Sequence, residues 1–226
     1  MSDRSLIVNA DDFGLSAGTN AGIIEAHERG IVTSASLMVH APAAPEAASL
    51  THAHPELSVG LHVDLGEWTY RDGEWTPRYE RGPAVEEVPR QVERFRELAG
   101  CDPTHLDSHQ HVHREGPAAI VMARVADELA VPLRGRRDVR YCGDFHGQSG
   151  TGDPLPGAIS AEALVGVIEG LEPGVTELAC HPGLDPELDS AYRSERIREV
   201  EALCDPGAAA AVEREQVRLV SFREIT

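Results

Sequence analysis

Leu6-Ile7-Val8-Asn9-Ala10-Asp11-Asp12-Phe13-Gly14 decides the fold: a short apolar run delivers two adjacent carboxylates into a turn that contains glycine. In an α/β protein the carboxyl end of a strand is where ligands bind. Neighbouring side chains on extended backbone point in different directions, so Asp11 and Asp12 need not share one task. One can hold a metal while the other handles a proton, the division that metal-assisted hydrolysis requires. Taken alone, the pair favours a cap for a helix starting near Ala17, since Asp caps helices and Asp-x-Gly sequences turn.

Histidines after later strands shift that balance. His62 closes Leu57-Ser58-Val59-Gly60-Leu61. His105, His109, His111 and His113 crowd around Asp107 in Thr104-His105-Leu106-Asp107-Ser108-His109-Gln110-His111-Val112-His113, and His181 follows Val175-Thr176-Glu177-Leu178-Ala179-Cys180. One carboxylate and two imidazoles form a common open ligand set for a divalent ion. The i,i+4 spacing of His105 and His109 would place both on one ion if the segment were helical, a geometry that a strand end does not guarantee. Any single histidine here is more simply structural; the set together points to chemistry.

Further outward, short β-branched runs alternate with helical periodicity. Strands are expected near 5–9, 34–39, 58–62, 104–107, 132–140 in broken form, 175–180 and 217–221. Helices are expected near 17–29, 43–53, 84–99, 116–130, 160–170, 190–204 and 207–214. In the first helix Ile23, Ile24, His27 and Ile31 recur at helical spacing, Ser16 can cap and Gly30 can terminate. Such alternation predicts an α/β parallel sheet, and seven or so units favour a distorted (β/α) barrel, closed or nearly so, with residues 1–226 forming one domain. Residues 66–83 and 143–157 interrupt the pattern and read as loops over one face. The first holds Trp68, Tyr70, Trp75 and Tyr79 in a chain that is only 4% aromatic, so it either stacks on sugar rings or is pinned by its own aromatic cluster.

Composition sets outer limits. With 226 residues and 41% hydrophobic content the chain can bury a full core. Its 38 acidic against 20 basic residues give a net charge of −18, which argues against a nucleic-acid partner because phosphates would be repelled. No apolar stretch is long enough to span a bilayer. Met1-Ser2-Asp3-Arg4 runs straight into the first strand without the pattern of a secretory signal, so a cytoplasmic location is expected. Cys101, Cys142, Cys180 and Cys204 form no C-x-x-C and are expected to be reduced packing residues.

The motifs resemble those of the YdjC-like carbohydrate deacetylases, the family that includes chitooligosaccharide deacetylases. The matching stretches are Ile7–Gly14, Gly30-Ile31-Val32-Thr33-Ser34, Gly60-Leu61-His62, Thr104–His113, Cys180-His181-Pro182-Gly183 and Ser221-Phe222-Arg223-Glu224-Ile225. The resemblance implies a barrel of the polysaccharide-deacetylase kind and a divalent ion, usually magnesium, with zinc or another transition metal as alternatives. It also implies a homodimer and hydrolysis of the N-acetyl group of an amino sugar or short oligosaccharide. Carried over by motif, Asp12, His62 and His109 bind the metal, Asp11 is the general base and His181 the general acid. The sugar-binding residues are not identified, because residues 64–90 and 140–160, where sugar contacts are expected, depart from the family pattern.

The chemistry asks for the same parts. An amide is a poor electrophile and its amide anion a very poor leaving group, so a polarising ion, a base and a proton donor are all needed. Asp107 can orient a ligand histidine from behind. Two other readings stand beside this one. A metal-dependent phosphoesterase acting on a sugar phosphate would use Arg134, Arg136, Arg137 and Arg140 for the phosphate. A sugar-binding protein without catalysis would have no use for Asp11 and His181.

Overall fold

Along β1 (Arg4–Phe13) the side chains alternate between two apolar environments before the run turns polar. Leu6, Val8 and Ala10 join the large core beneath the helices, whereas Ile7 packs with Val220 and Phe222 in a separate cluster. The period of two therefore gives Ile7, Asn9 and Asp11 one common face. An apolar floor, a hydrogen-bonding middle and an acidic top follow one another along it.

The computed structural model describes residues 3–136 and 138–225. Among these, the chain continues through α1 (Ala17–Glu28), β2 (Ser34–Leu37), α2 (Ala44–Ala53), β3 (Ser58–Val63), β4 (Gly66–Arg71), β5 (Glu74–Glu80), α3 (Ala84–Ala99) and β6 (Leu106–Ser108). It then forms α4 (Gly116–Leu129), β7 (Val139–Cys142), α5 (Ala161–Glu169), β8 (Gly174–Cys180), α6 (Ser194–Leu203), α7 (Pro206–Arg214) and β9 (Arg218–Leu219). The main sheet has the order β6-β3-β2-β1-β8-β7, with β9 added beside β1, and its pairings are all parallel. It is a curled, barrel-like sheet carrying helices, in keeping with the expected α/β class.

The broken strand anticipated at 132–140 brings the sheet round toward closure. Leu133 bridges to Leu106, with Arg134 N–H donating to the Leu106 carbonyl at 3.0 Å, while Val139–Cys142 pairs with β8. One segment thus touches both ends of the sheet order. Ser16 accepts from Thr19 N–H and caps α1 as expected. A Cβ on Gly22 would lie 2.5 Å from Gly183 Cα, so α1 can pack this closely against the turn after β8 only because Gly22 lacks a side chain.

Two expectations need correction. Residues 66–80 are not a loop but an antiparallel hairpin, β4–β5, in which Tyr70 pairs with Trp75. Its alternation is masked in the sequence by its exposed setting, since β5 is exposed throughout. The expected strand 217–221 is reduced to Arg218–Leu219, because Ser221 starts a short 3-10 turn with a capping box whose Phe222 fills the barrel floor. Of the cysteines, Cys180 is buried as a packing residue and Cys101 is exposed.

Candidate metal and catalytic site

Sheet register assembles the site. β1 pairs with β8 through Ala10 and Cys180, which places Asp11 and His181 next to one another as the two strands end. β3 pairs with β6 through His62 and Asp107. Asp12 leaves β1 in the left-handed region at φ 66°, a conformation that Asp tolerates better than most residues. This twist separates the two carboxylates.

Asp12, His62 and His109 converge. Asp12 Oδ1 lies 3.3 Å from His62 Nε2 and 3.4 Å from His109 Nδ1. Oδ1 is buried and has no hydrogen-bond partner among the described residues, whereas Oδ2 accepts from Arg196 at 2.6 Å. His62 Nδ1–H donates to Asp107 Oδ1 at 2.7 Å, which turns Nε2 toward Asp12, placed to ligate an ion once it gives up its proton. A buried carboxylate oxygen opposite two imidazole nitrogens is an expensive arrangement with nothing between them. The donor set fits a divalent cation, with Asp107 behind His62 as orienting carboxylate.

Asp11 sits in a different environment. Arg134, fully buried, grips both its oxygens at 2.6 and 2.7 Å and also reaches Asp107 Oδ2 at 2.8 Å and Glu177 Oε1 at 2.7 Å. Asn9 Nδ2 donates to Asp11 Oδ1 at 2.9 Å. Burial pushes the carboxyls of Asp11 and Asp107 up, but the Arg134 guanidinium outweighs it and holds both below the ordinary carboxylate range. Burial likewise opposes the charged form of His62, yet Asp107, Asp12 and Asp11 together raise its pKa. At Glu177 burial wins over Arg134, and the group is pushed up to about 7.

His181 faces Asp11 across the site, Nε2 to Oδ2 at 3.9 Å. Its backbone N–H donates to Glu199, which also accepts from the Tyr192 hydroxyl. Burial lowers its imidazole to about 3, so it is neutral in the free protein. The other histidines of the 104–113 motif lie apart from this group. His105 is buried and stacks on Phe222 at 3.8 Å; His111 receives the Tyr141 hydroxyl at 3.0 Å; His113 bonds Ser108 Oγ at 2.6 Å. Leu106–Ser108 run as extended strand β6 between them, so the helical spacing that would have put His105 and His109 together is absent.

Arg134 and Arg196 were legible only in part. Arg134 follows a strand-like run but carries no signal of its three carboxylate partners, and Arg196 lies on α6, distant in sequence from Asp12. Among the described residues of the phosphate-binding arginine cluster, Arg134 is spent on carboxylates and Arg140 reaches Thr176 and Glu172 at the opposite end of β8. Arg137 lies outside the described residues. Above the site opens a cavity of about 480 Å³, walled by the β4–β5 hairpin and by residues of the 143–152 loop.

A family model described as YdjC-like protein matches residues 5–214. The chain is 36% identical to a carbohydrate deacetylase of Geobacillus stearothermophilus over 98% of both chains. It is 34% identical to a chitooligosaccharide deacetylase of Klebsiella pneumoniae, over 99% of this chain and all of the other. Among solved structures it resembles a putative cellobiose-phosphate cleavage protein of Enterococcus faecalis, with 26% identity, full coverage of both chains and a TM-score of 0.79. A family 4 carbohydrate esterase of Streptomyces lividans shares the fold at a TM-score of 0.57, with 14% identity over 97% of this chain and 93% of the other.

Proposed function

The chain belongs to the YdjC-like family and is a carbohydrate deacetylase, and on that premise we propose that it is a metal-dependent N-deacetylase of an acetylated amino sugar or short chitooligosaccharide. One observation carries the metal: the partnerless Oδ1 of Asp12 opposite His62 Nε2 and His109 Nδ1. A divalent ion held by these three side chains supplies the polarisation of the amide carbonyl and the acidification of water that the reaction needs.

The remaining steps belong to the chain. Asp11, kept ionised by Arg134, accepts a proton from the attacking water as its oxygen bonds to the carbonyl carbon. A water bridging the 3.9 Å between Asp11 Oδ2 and His181 Nε2 relays that proton to the imidazole, which is neutral beforehand and so free to take it. His181 then protonates the nitrogen as the carbon–nitrogen bond breaks, so amine and acetate leave. Arg196 holds Asp12 by its second oxygen and keeps the first turned toward the imidazoles.

Family resemblance extends the proposal to magnesium as the ion and to a homodimer, which sedimentation of the purified protein checks. The decisive experiment is an acetate-release screen over N-acetylated mono- and oligosaccharides, with magnesium, zinc, manganese and cobalt each restored after chelation. Phosphate release from sugar phosphates belongs beside it, given the name of the Enterococcus neighbour. Phosphate without acetate would sink the proposal, and neither product with any metal would leave only a binding protein.

The ligand set makes its own prediction. Asp12→Ala, His62→Ala and His109→Ala should each weaken metal binding in calorimetry, with activity falling in step. Asp107→Asn keeps the three donors but loses the charge behind His62, and should weaken metal affinity about 10–100-fold. His113→Ala should leave it unchanged. Full occupancy in His109→Ala would move the assignment to another histidine.

A further inference from the structure

His181 is the first residue beyond β8, and its peptide is held by side chains of α6. Glu199 accepts its backbone N–H, and Arg196 Nη1 lies 3.4 Å from its carbonyl oxygen. These two residues are three apart on α6 and so share one face of the helix. The imidazole is held differently. Nδ1 is buried with no hydrogen-bond partner among the described residues, and Nε2 stands 3.9 Å from Asp11. Asp107 fixes the ring of His62 through a direct hydrogen bond, but among the described residues no carboxylate does so for His181.

What aims the His181 ring is therefore its peptide and its aromatic neighbours. Tyr192 tilts against it with ring centres 5.4 Å apart, and His146 meets it at 5.3 Å. The Tyr192 hydroxyl donates to Glu199 and accepts from Gly147 N–H at 2.7 Å, while its ring stacks on His146 at 4.5 Å, within 7° of parallel. The hydroxyl and Glu199 thus join the 143–152 loop, which walls the cavity, to the peptide of the proton donor. Glu199 and Tyr192 are both buried, so breaking their hydrogen bond leaves polar groups that water does not readily reach.

We propose that Glu199 and Tyr192 are positioning residues for His181: Glu199 holds the His181 peptide and the Tyr192 hydroxyl holds Glu199 against the loop, so that the imidazole faces Asp11 and the leaving nitrogen without a carboxylate of its own. The inference rests on the reading of His181 as proton donor. A ring without a bond to Nδ1 keeps its aim only while its peptide and neighbours keep theirs, and a displacement of about 1 Å can cost about 10²-fold in rate.

Tyr192→Phe tests this, because it removes only the hydroxyl and keeps both the ring and the Tyr192 carbonyl that accepts from Arg196 Nε at 2.9 Å. In the metal-loaded enzyme its kcat on an acetamide should fall about 10–100-fold with KM nearly unchanged, while an activated acetyl ester, which needs no donated proton, should lose less than about threefold. Glu199→Gln offers one carbonyl oxygen to two donors and should shift the same amide-to-ester ratio. In a His181→Ala background Tyr192→Phe should add nothing further. The His181 ring signal in carbon–proton NMR of protein loaded with a diamagnetic ion, identified by its absence from His181→Ala, should move in both single variants. Equal losses on amide and ester, an effect confined to KM, or an added loss in the His181→Ala background would overturn the proposal and make Tyr192 a wall of the cavity. A His181 signal that stays in place in both variants would overturn it as well. A signal that moves in a protein releasing no acetate, or in one whose His181→Ala form treats amide and ester alike, would leave the positioning standing and remove the reading of the reaction instead.

Discussion

Arg134→Met is expected to cost about 3–5 kcal/mol of folding stability at pH 7, the usual penalty for removing one partner of a buried ionic group. Arg134 is the guanidinium that Asp11, Asp107 and Glu177 share, and all four side chains are buried. Methionine fills much of the same volume, so the loss is chiefly electrostatic. Three carboxyls would be left with His62 as the nearest cation, bonded to Asp107 alone among them.

The pH dependence separates this account from a packing defect. In the wild type the folded-state pKa values of Asp11 and Asp107 are depressed, so their contribution is present above the unfolded value of 3.8 and is lost only as pH falls through the lower folded values. Without Arg134, burial alone would push both above 3.8, and each would then destabilise the fold at neutral pH and be relieved by protonation on acidification. Glu177, pushed up to about 7, already gives the wild type some gain between pH 7 and its unfolded value of 4.5. The readout is therefore the difference between the two proteins in urea unfolding, which should shrink from pH 7 to pH 5. A difference that is constant or grows on acidification would mean that Arg134 acts through packing.

The parts of this architecture legible in sequence are those with local periodicity. β1, α1 and the strand-end positions of Asp11, His62 and His181 follow from apolar runs and their polar terminators, and sheet register then brings them together without further information. The 104–113 motif was harder, because nine residues offer four histidines, and the extended β6 followed by a left-handed turn at Gln110 and His111 decides which one faces Asp12. No pattern of spacing encodes that turn. Arg134 and Arg196 were hidden for a different reason: the pairings of Arg134 with Asp11 and of Arg196 with Asp12 span 123 and 184 residues of chain, and a lone arginine carries no periodic signature. The hairpin was hidden because an exposed two-stranded ribbon has no buried face to impose alternation.

Asp11→Asn should keep metal binding while turnover falls by roughly 10²–10⁴-fold, the usual worth of a positioned general base. The amide retains the side chain's shape and one acceptor for Arg134, but it cannot take a proton. Asp11 is not among the three side chains facing the metal position, so affinity should be spared even as chemistry fails. His181→Ala tests the other half of the transfer. Its turnover should fall much further on an acetamide than on an activated acetyl ester, whose leaving group departs without a proton, because only the amine must be protonated as it leaves. Both effects should appear in kcat more than in KM, as expected for interactions made in the transition state. The 3.9 Å separation of Asp11 Oδ2 from His181 Nε2 adds a constraint: if the proton passes from one to the other, the double variant should lose little beyond the worse single one. Losses that multiply, or a His181→Ala enzyme equally impaired on amide and ester, would show that the two residues do not share a proton.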